Sequence, residues 1–259
     1  MAVLGAGGAF PQLIITTSQT WTPPMSGNVC IHLVGGGGGA RGLGNDTLMA
    51  GGGGGYCKKN YLAVSPANNL TIVVGARGAG AAYDDGGSAG GNTTVAGNGI
   101  SSTLTANGGA LGYRSNQGAG GSASNGDVNN TGGAGTVYGG GAVGIFGTGK
   151  TGLEYTDAGI YGPSIGGLTD ATGGGLSMSQ FGVICGGYIS GGSMNSTPEV
   201  YNNGGDLCGG TSNSGSGMRY GGQGGIGGGG GGASSSNGTN YTFGGNGGPG
   251  VVLIQYLPW

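Results

Sequence analysis

The residues of this sequence that could do chemistry are few and widely spaced. His32 is the only histidine, so a Ser-His-Asp triad, a Cys-His pair or a histidine-based metal site would depend on it. It lies in the middle of an apolar segment, which favours a satisfied position in a core or at a sheet edge. The four cysteines, Cys30, Cys57, Cys185 and Cys208, form no Cys-x-x-Cys pair. We therefore expect buried free thiols rather than zinc or redox chemistry.

A phosphate-binding pattern occurs once, at residues 144–151, which read Gly-Ile-Phe-Gly-Thr-Gly-Lys-Thr and match GxxxxGK[ST]. A working loop of this kind needs a buried strand before it and a helix after it. The residues that follow, 152–155, read Gly-Leu-Glu-Tyr, and Gly159 and Gly162 come soon after. Because glycine opposes helix formation, we expect no nucleotide binding here.

The carboxylates show no catalytic or metal-binding spacing. Asp84 and Asp85 could offer oxygen ligands to a hard cation, but no Asp-x-Asp-x-Asp-Gly loop is present, and a capped turn is expected instead. No spacing selects a pair for glycoside hydrolysis among the other candidates, Asp127, Glu154, Asp157, Asp170, Glu199 and Asp206. We expect no catalytic residue, no metal and no cofactor, and hence no enzyme.

The composition restricts the class of protein. Of 259 residues 76 are Gly and only 8 are Pro, without the three-residue glycine period of collagen. The glycine content also weighs against helical and α/β domains. A net charge of −2 provides no basic surface for nucleic acid or anionic membrane. Residues 1–9 lack the features of a secretory signal and the aliphatic run Val251–Ile254 is too short to span a bilayer, so we expect a soluble protein made without Sec export.

Short β-branched or aromatic segments bounded by Gly, Pro and Asn predict β-strands near the two ends of the sequence. Residues 62–70 read as strand, turn and strand, and predict a hairpin. The predicted strands are Gln12–Thr17, Val29–Val34, Tyr56–Val64, Leu70–Val74 and Val251–Tyr256.

Glycine runs separate these strands and fill the middle of the chain. Ordering each glycine costs about 1–2 kcal/mol of backbone entropy, so a run folds only if its backbone finds partners. Two alternatives follow: extended threefold helices stacked side by side with their N–H and C=O groups paired, or flexible linkers. Flanking Tyr, Ile and Val favour ordered stacking. The runs are residues 35–39, 51–55, 139–141, 173–175 and 227–232.

Polar and aromatic segments interrupt the glycine runs, and the longest are Leu153–Thr172 and Leu176–Asp206. Tyrosine provides a large contact area at low entropic cost, while Asn, Ser and Arg add hydrogen bonds, so these segments are candidates for binding. The alternative is that their aromatic residues cap the ends of the glycine helices. The candidate binding residues are Tyr113, Arg114, Tyr155, Asp157, Tyr161, Met178, Phe181, Tyr188, Tyr201, Arg219 and Tyr220.

Four segments carry a resemblance to a known family: residues 20–39, which include Thr-Trp-Thr-Pro-Pro and a five-glycine run, and residues 51–56, 70–78 and 247–256. Together they resemble the glycine-rich domain of bacteriophage tail-fibre and collar-type proteins, shared more distantly with the ectodomain of anaplastic lymphoma kinase-type receptors. The resemblance implies an all-β fold with almost no helix. In it, the chain ends form a jelly-roll-like β-sandwich that carries a bundle of polyglycine II helices with irregular loops.

The middle of the sequence is similar in style to the distal tail-fibre adhesins of T-even-type phages. This similarity implies a virion protein, assembled in the host cytoplasm, whose candidate residues contact a host cell-surface glycan or outer-membrane protein. The fibre-binding N-terminal domain of those adhesins is lacking, so residues 1–11 are the candidate attachment segment. Residues 12–80 and 245–259 are then the β module, and residues 81–244 the glycine bundle with its loops.

Other functions remain open at this point. The main alternative is a structural virion component, such as a head decoration or a fibre piece, that binds no receptor. A non-viral scaffold or an ice-binding protein is a further alternative, although the long irregular insertions after Thr151 argue against the flat face that ice binding requires. Expected partners are the host receptor and other virion proteins, with a homo-oligomer as an open alternative. Nucleic acid and membrane insertion are not expected.

The all-β expectation is tested by circular dichroism. We expect the far-UV spectrum of the purified protein to correspond to less than about 10% helix, well below the ordinary share of helix in globular proteins. A spectrum dominated by the helical minima would contradict this expectation.

Overall fold

The computed structural model describes residues 12–43, 49–82, 87–97, 99–113, 116–136, 140, 148–149, 209–210, 213–215, 219–235 and 242–258. Within these residues all regular secondary structure is β-strand and no helix occurs, which confirms the all-β expectation. In chain order the strands are β1 (Gln12–Ile15), β2 (Gln19–Trp21), β3 (Gly27–Val34), β4 (Gly42–Leu43), β5 (Tyr56–Val64), β6 (Leu70–Val73), β7 (Thr93–Gly97), β8 (Leu104–Ala106), β9 (Ala123–Ser124), β10 (Val128–Asn130), β11 (Asn213–Gly215), β12 (Arg219–Tyr220), β13 (Ala233–Ser235), β14 (Thr242–Phe243) and β15 (Val251–Tyr256).

Two antiparallel sheets of five strands form the larger part of the fold. The first sheet has the order β1-β15-β3-β5-β10, and the second has the order β2-β6-β7-β8-β9. Two smaller parallel sheets, β11-β13-β4 and β12-β14, lie farther along the glycine-rich segments. Strands β7 to β10 come from residues 93–130, so the part of the chain assigned to the glycine bundle also contributes strands to both five-stranded sheets.

The two large sheets share one hydrophobic core. Alternate residues of the first sheet, such as Ile31 and Ile254, pack in the same cluster as Ile72, Val95 and Leu104 of the second sheet, each at most 1% exposed. This follows from the two-residue period of a strand, which places every second side chain on the inner face. Trp21 and Tyr256 close one end of the core with an edge-to-face contact of 6.5 Å between ring centroids.

The strand predictions are largely confirmed. Strands β5 and β15 have the predicted bounds, β1 and β6 end earlier than predicted, and β3 begins two residues earlier. Short strands such as β2 and β8 were not predicted, because three residues in Thr- and Ser-rich sequence carry no clear alternation.

The predicted hairpin at residues 62–70 is wrong in its pairing. The turn is present, with the Asn68 N–H donating to the Ser65 carbonyl at 2.9 Å. However, β5 pairs with β3 and β10, whereas β6 pairs with β2 and β7 in the other sheet. Leu62 before the turn and Leu70 after it both face the shared core, so the turn connects two facing sheets rather than two neighbouring strands.

Hydrogen bonds between glycine-rich segments follow a three-residue repeat. Consecutive N–H groups of residues 35–40 donate to three different segments in turn, and the fourth donor returns to the first of these segments. The pairs are Gly35 to Gly55, Gly36 to Gly91, Gly37 to Gly248, Gly38 to Gly52, Gly39 to Ser88 and Ala40 to Gly245, at 2.8–3.0 Å. Each acceptor moves back three residues per repeat, so these three neighbours run antiparallel to residues 35–40.

Carbonyl groups of the same segment accept from three further segments. Gly78 and Ala81 donate to Gly37 and Ala40, at 2.8 and 3.0 Å. Residues 109 and 112 donate to residues 36 and 39 at 2.9 and 3.1 Å, and residue 230 donates to residue 38 at 2.9 Å. Within the described part of the chain, residues 35–40 are therefore hydrogen-bonded to six neighbouring segments, and this run is buried throughout.

Among the described residues, the glycine-rich segments that lead directly into or out of the two large sheets do so at one end, which we call the glycine end. There Val34 continues into Gly35, Gly55 leads into Tyr56, and Gly250 leads into Val251. The opposite end, which we call the turn end, contains five stretches of described chain, which include the adjoining strand ends. These stretches are residues 22–28, 61–69, 99–103, 125–127 and 256–258.

A glycine in the middle of the bundled segments should not tolerate even one added carbon. A Cβ built on Gly37 would overlap the Gly228 carbonyl, whereas one on Gly27 would contact only the Tyr256 ring, at 3.3 Å. We expect Gly37→Ala to cost about 3 kcal/mol, because segments must separate and lose hydrogen bonds. The melting temperature should fall by roughly 6–12 °C.

The matched control is Gly27→Ala, which we expect to shift the melting temperature by only about 2 °C, because a ring edge can move by a few tenths of an ångström. Differential scanning calorimetry measures both variants. Equal melting temperatures for Gly37→Ala and the unchanged protein would contradict the close packing of these segments.

Candidate binding surface

The glycine-rich segments carry an arginine and a tyrosine at the end that is far from the sheets. Arg41 follows the run at residues 35–40 and forms a parallel bridge with Ala81. Tyr113 follows Gly112, whose N–H donates to the Gly39 carbonyl at 3.1 Å. The Tyr113 ring lies over the Arg41 guanidinium, with 4.7 Å between Cζ and the ring centroid. Such a cation–π contact contributes about 1–2 kcal/mol when it is shielded from water.

A second aromatic pair lies on the next segments. Strands β12 and β14 pair in parallel, with Arg219 opposite Thr242 and Tyr220 opposite Phe243. The Tyr220 and Phe243 rings stack at 5.1 Å between centroids and 10° between planes. Parallel neighbours with in-register side chains make this stacking a direct result of the backbone pairing.

Backbone bridges connect the Arg41–Tyr113 pair with the Tyr220–Phe243 pair. Ala81 pairs with Arg41, and the next residue, Ala82, pairs with Phe243 in an antiparallel bridge. The Ala81 carbonyl accepts from the N–H groups of Gly42 and Gly244, at 3.0 and 2.9 Å. We call the resulting set the tip surface; it consists of Arg41, Tyr113, Arg219, Tyr220 and Phe243.

Burial divides the tip surface into supporting and contacting residues. Arg41 and Arg219 are 2% and 3% exposed, so their guanidinium groups lie beneath the surface. Tyr113 and Phe243 are each 37% exposed, which leaves part of each ring accessible. Moving the Tyr113 ring away would leave the buried Arg41 charge without this contact, so the pair fixes the orientation of the ring. The Phe243 ring is held by its stacking on Tyr220. The surface can therefore offer two rigid aromatic faces to a ligand.

The structure brings together three of the residues predicted from sequence, Tyr113, Arg219 and Tyr220. Arg219 is buried, so it supports the surface instead of lying solvated upon it. Sequence reasoning considered Arg41 only as one of several isolated arginines that could bind an anion and did not select it, and it missed Phe243. A signal for Arg41 exists, because it is the first charged residue after a glycine run, whereas Phe243 has no such mark. The remaining predicted residues lie outside the described residues and stay predictions: Arg114, Tyr155, Asp157, Tyr161, Met178, Phe181, Tyr188 and Tyr201.

His32 occupies the satisfied buried position that the sequence predicts. It lies in β3 and is 7% exposed. Its Nδ1 lies 2.6 Å from the Tyr56 hydroxyl oxygen, and its Nε2 lies 3.3 Å from Cys30 Sγ. A neutral imidazole can donate at one nitrogen and accept at the other, which suits two such partners. Burial, with a smaller contribution from the Lys58 charge, lowers the pKa of His32 to about 4.

The two described cysteines are buried free thiols, as predicted. Burial raises the pKa of Cys30, and it raises the pKa of Cys57 to about 11. Because the thiolate is the reactive form, both side chains are inert near neutral pH. The Cys57 thiol donates instead to the Ser124 carbonyl, at 3.4 Å.

Asp127 is held by two hydrogen bonds within the fold. It accepts from Lys59 Nζ at 2.8 Å and from the Asn60 N–H at 2.7 Å, and the Lys59 hydrogen bond holds its pKa below the usual range.

Across the described ranges no three His, Cys, Asp or Glu side chains gather where they could hold a metal ion. The same part of the chain contains no helix long and apolar enough to cross a membrane. Asp84, Asp85 and most of the phosphate-loop pattern at residues 144–151 lie outside the described residues.

Comparison with known families supports one assignment. The model of a family described as a glycine-rich domain matches residues 15–257, which include both large sheets except the first three residues of β1. Comparison with curated proteins gives no match.

The His32 environment predicts a loss of stability in mild acid. The folded pKa of about 4 lies below the ordinary value of 6.5, so the unfolded chain binds a proton that the folded chain excludes. Stability is full above pH 6.5 and decreases as the pH falls toward 4, by about 3 kcal/mol in total. Because His32 is the only histidine, few other groups titrate in this window. Melting temperatures measured between pH 7.5 and pH 4.5, in buffers of equal ionic strength, check this expectation.

The control is His32→Gln, whose melting temperature should start lower but change little over the same pH range. If the unchanged protein and His32→Gln lose stability in parallel, the titration of His32 is not the cause.

Proposed function

Because the chain belongs to the glycine-rich domain family, we propose that it is a bacteriophage virion protein, a tail-fibre adhesin whose glycine-rich segments form a polyglycine II bundle and hold a receptor-binding surface at its tip. The recognised receptor is a glycan or an outer-membrane protein of the host cell. The observation that carries the proposal is the tip surface, which presents two partly exposed aromatic rings on a rigid backbone support.

The three-residue hydrogen-bond repeat supports the polyglycine II proposal. An extended helix with three residues per turn has no internal hydrogen bonds and directs successive N–H groups 120° apart. Residues 35–40 donate in this order to three segments and accept from three others. The two facing sheets, into which these segments run, would then be the jelly-roll-like β-sandwich at the base of the bundle.

A polyglycine bundle suits the display of a binding surface. At about 3.1 Å per residue, the seven steps from Val34 to Arg41 would place Arg41 roughly 22 Å above the end of β3. Side chains are nearly absent along this distance, so recognition falls to the residues where the segments end. Arg41 is buried beneath the Tyr113 ring and Phe243 is stacked on Tyr220, which pre-organises both rings and reduces the entropy lost on binding.

The residues outside the described ranges belong to the same proposal. The insertions Leu153–Thr172 and Leu176–Asp206 contain most of the predicted contact residues, and they interrupt the glycine-rich segments in the middle of the chain. The tip surface is therefore proposed as one part of a larger contact area. A structural virion component would need no such aromatic surface. The following experiment distinguishes this alternative from an adhesin.

The proposal predicts that the purified protein binds host cells and blocks adsorption of the phage. Each of Tyr113→Ala and Phe243→Ala should weaken cell binding about tenfold, because a central aromatic anchor contributes roughly 1–2 kcal/mol. Flow cytometry with labelled protein measures the binding, and melting temperatures report on folding.

The matched control is Tyr61→Ala, which removes a 58% exposed tyrosine from β5, in the segment Tyr61–Asn69 of the turn end. Its cell binding should equal that of the unchanged protein. If the unchanged protein neither binds cells nor blocks adsorption, the chain is a structural component and the adhesin proposal fails. If it binds and the two tip variants bind equally well, the receptor contacts lie elsewhere on the chain.

A further inference from the structure

We propose that residues 150–208, which we call the long insertion, dock on the outer face of the first sheet. The outer face is the one turned away from the second sheet. This inference does not rest on the proposed function and goes beyond it, because it assigns a partner to a surface that the tip does not include. Under the adhesin proposal it also extends the contact area from the tip surface along one side of the molecule.

The outer face of the first sheet is apolar at its centre. Strand β3 from Val29 onward and strand β15 are apolar at nearly every position, which is typical of strands that are covered on both faces. The second sheet differs, because its outward positions include Thr71, Thr94 and Thr105, which are exposed or half-buried. The centre of the outer face of the first sheet consists of Cys30, His32, Val34, Tyr56, Val251 and Leu253.

This apolar centre is buried by the chain itself. Its six residues are each at most 7% exposed. Among the described elements, the principal partners of β3 are its sheet neighbours β5 and β15 and the strands β7 and β8, which cover the inner face. The principal partners of β15 are β1 and β3 of the same sheet. Because the structure contains one chain, the cover of the outer face is a segment of this chain.

The long insertion begins beside this face. The Gly149 N–H donates to the Thr131 carbonyl at 2.8 Å. Thr131 directly follows β10, whose last residue pairs with Tyr56 at the edge of the first sheet. The Gly140 N–H donates to the Gly51 carbonyl at 2.8 Å, farther from the sheets along the glycine-rich segments. The chain therefore runs toward the first sheet as it enters the insertion.

The long insertion also ends on the side of the sheets. After it, the Gly210 N–H donates to the Gly229 carbonyl at 2.8 Å, and the chain continues to β11. Strand β11 runs parallel to β13, and β13 runs parallel to β4, which leads away from the sheets because it follows residues 35–40. The chain thus runs toward the tip surface when it leaves the insertion. Both ends of the insertion are directed toward the sheets.

Composition favours the long insertion over residues 1–11, which precede β1 at the opposite edge of the same sheet. Residues 1–11 contain three glycines and only four large apolar side chains, Met1, Val3, Leu4 and Phe10. The long insertion is much longer and contains apolar runs such as Phe181–Cys185. Crossing five strands that lie about 4.8 Å apart requires roughly 19 Å, which a few extended residues span. Burial of its apolar side chains offsets the entropy lost when such a segment becomes ordered.

Deleting the long insertion should expose the Cys30 thiol and leave the Cys57 thiol buried. Cys30 lies on the outer face, whereas Cys57 lies in the core between the sheets, so Cys57 is a control within the same molecule. We expect replacement of residues 152–206 by a short Gly-Ser linker to raise the rate of iodoacetamide labelling at Cys30 at least about tenfold, with Cys57 unchanged. Mass spectrometry of proteolytic peptides measures both rates. The matched control is deletion of residues 2–10, after which Cys30 should still react slowly.

Slow labelling of Cys30 after removal of the insertion, or fast labelling after removal of residues 2–10, overturns the inference. If Cys57 also reacts quickly, the variant has unfolded, and a photo-crosslinking amino acid at position 14 or 58 of the full chain replaces it. Ile14 and Lys58 border the outer face and are half-buried, and the control position is Thr71. Crosslinks to residues 150–208 from positions 14 or 58 but not from 71 support the inference. Any other pattern, including crosslinks to residues 1–11, overturns it.

Discussion

Hydrogen bonding between backbones that carry no side chains is the interaction on which the rest of this structure depends. Ordering a glycine costs about 1–2 kcal/mol, and a hydrogen bond contributes about 1 kcal/mol net, so a run orders only when nearly every group is paired. Residues 35–40 meet this condition through six neighbouring segments. At residues 35–39 the missing Cβ atoms permit this arrangement, because each added Cβ would occupy the position of a neighbouring carbonyl. The tip surface exists because these segments end together.

The two large sheets set the starting position of the glycine-rich segments. Val34, the last residue of β3, pairs with Tyr56, the first residue of β5. The next hydrogen bond along the same two segments runs from the Gly35 N–H to the Gly55 carbonyl, at 3.0 Å. The ladder of the sheet thus passes directly into the glycine-rich segments. The hydrophobic core beneath, with Ile31 and Ile254 almost fully buried, supplies the burial that the glycine-rich part lacks. The sheets supply apolar burial, which glycine cannot, and the glycine-rich segments supply the hydrogen-bonded support that ends at the tip surface.

The sequence predicts those elements whose signal is local. Strands β5 and β15 each follow a glycine and end two residues before a proline, and their predicted bounds are correct. The partners of β6 could not be read locally, because a turn between sheets and a hairpin turn have the same sequence signals. At the tip, Tyr220 could be predicted because it lies beside an arginine in the sequence. The pairing of Ala82 with Phe243 joins residues 161 positions apart along the chain, so it carries no local signal. Long-range pairing between segments of low complexity is what sequence patterns leave undetermined.

The three-residue repeat also governs how such a chain can change its length. Because hydrogen-bond partners repeat every three residues, removing three residues from a glycine-rich segment should return each following donor to the same neighbour. Removing one or two residues should direct each later donor toward a different neighbour, whose carbonyls are already occupied. We therefore expect insertions and deletions inside these segments to come in multiples of three residues, whereas the loops that interrupt them can change length by any number.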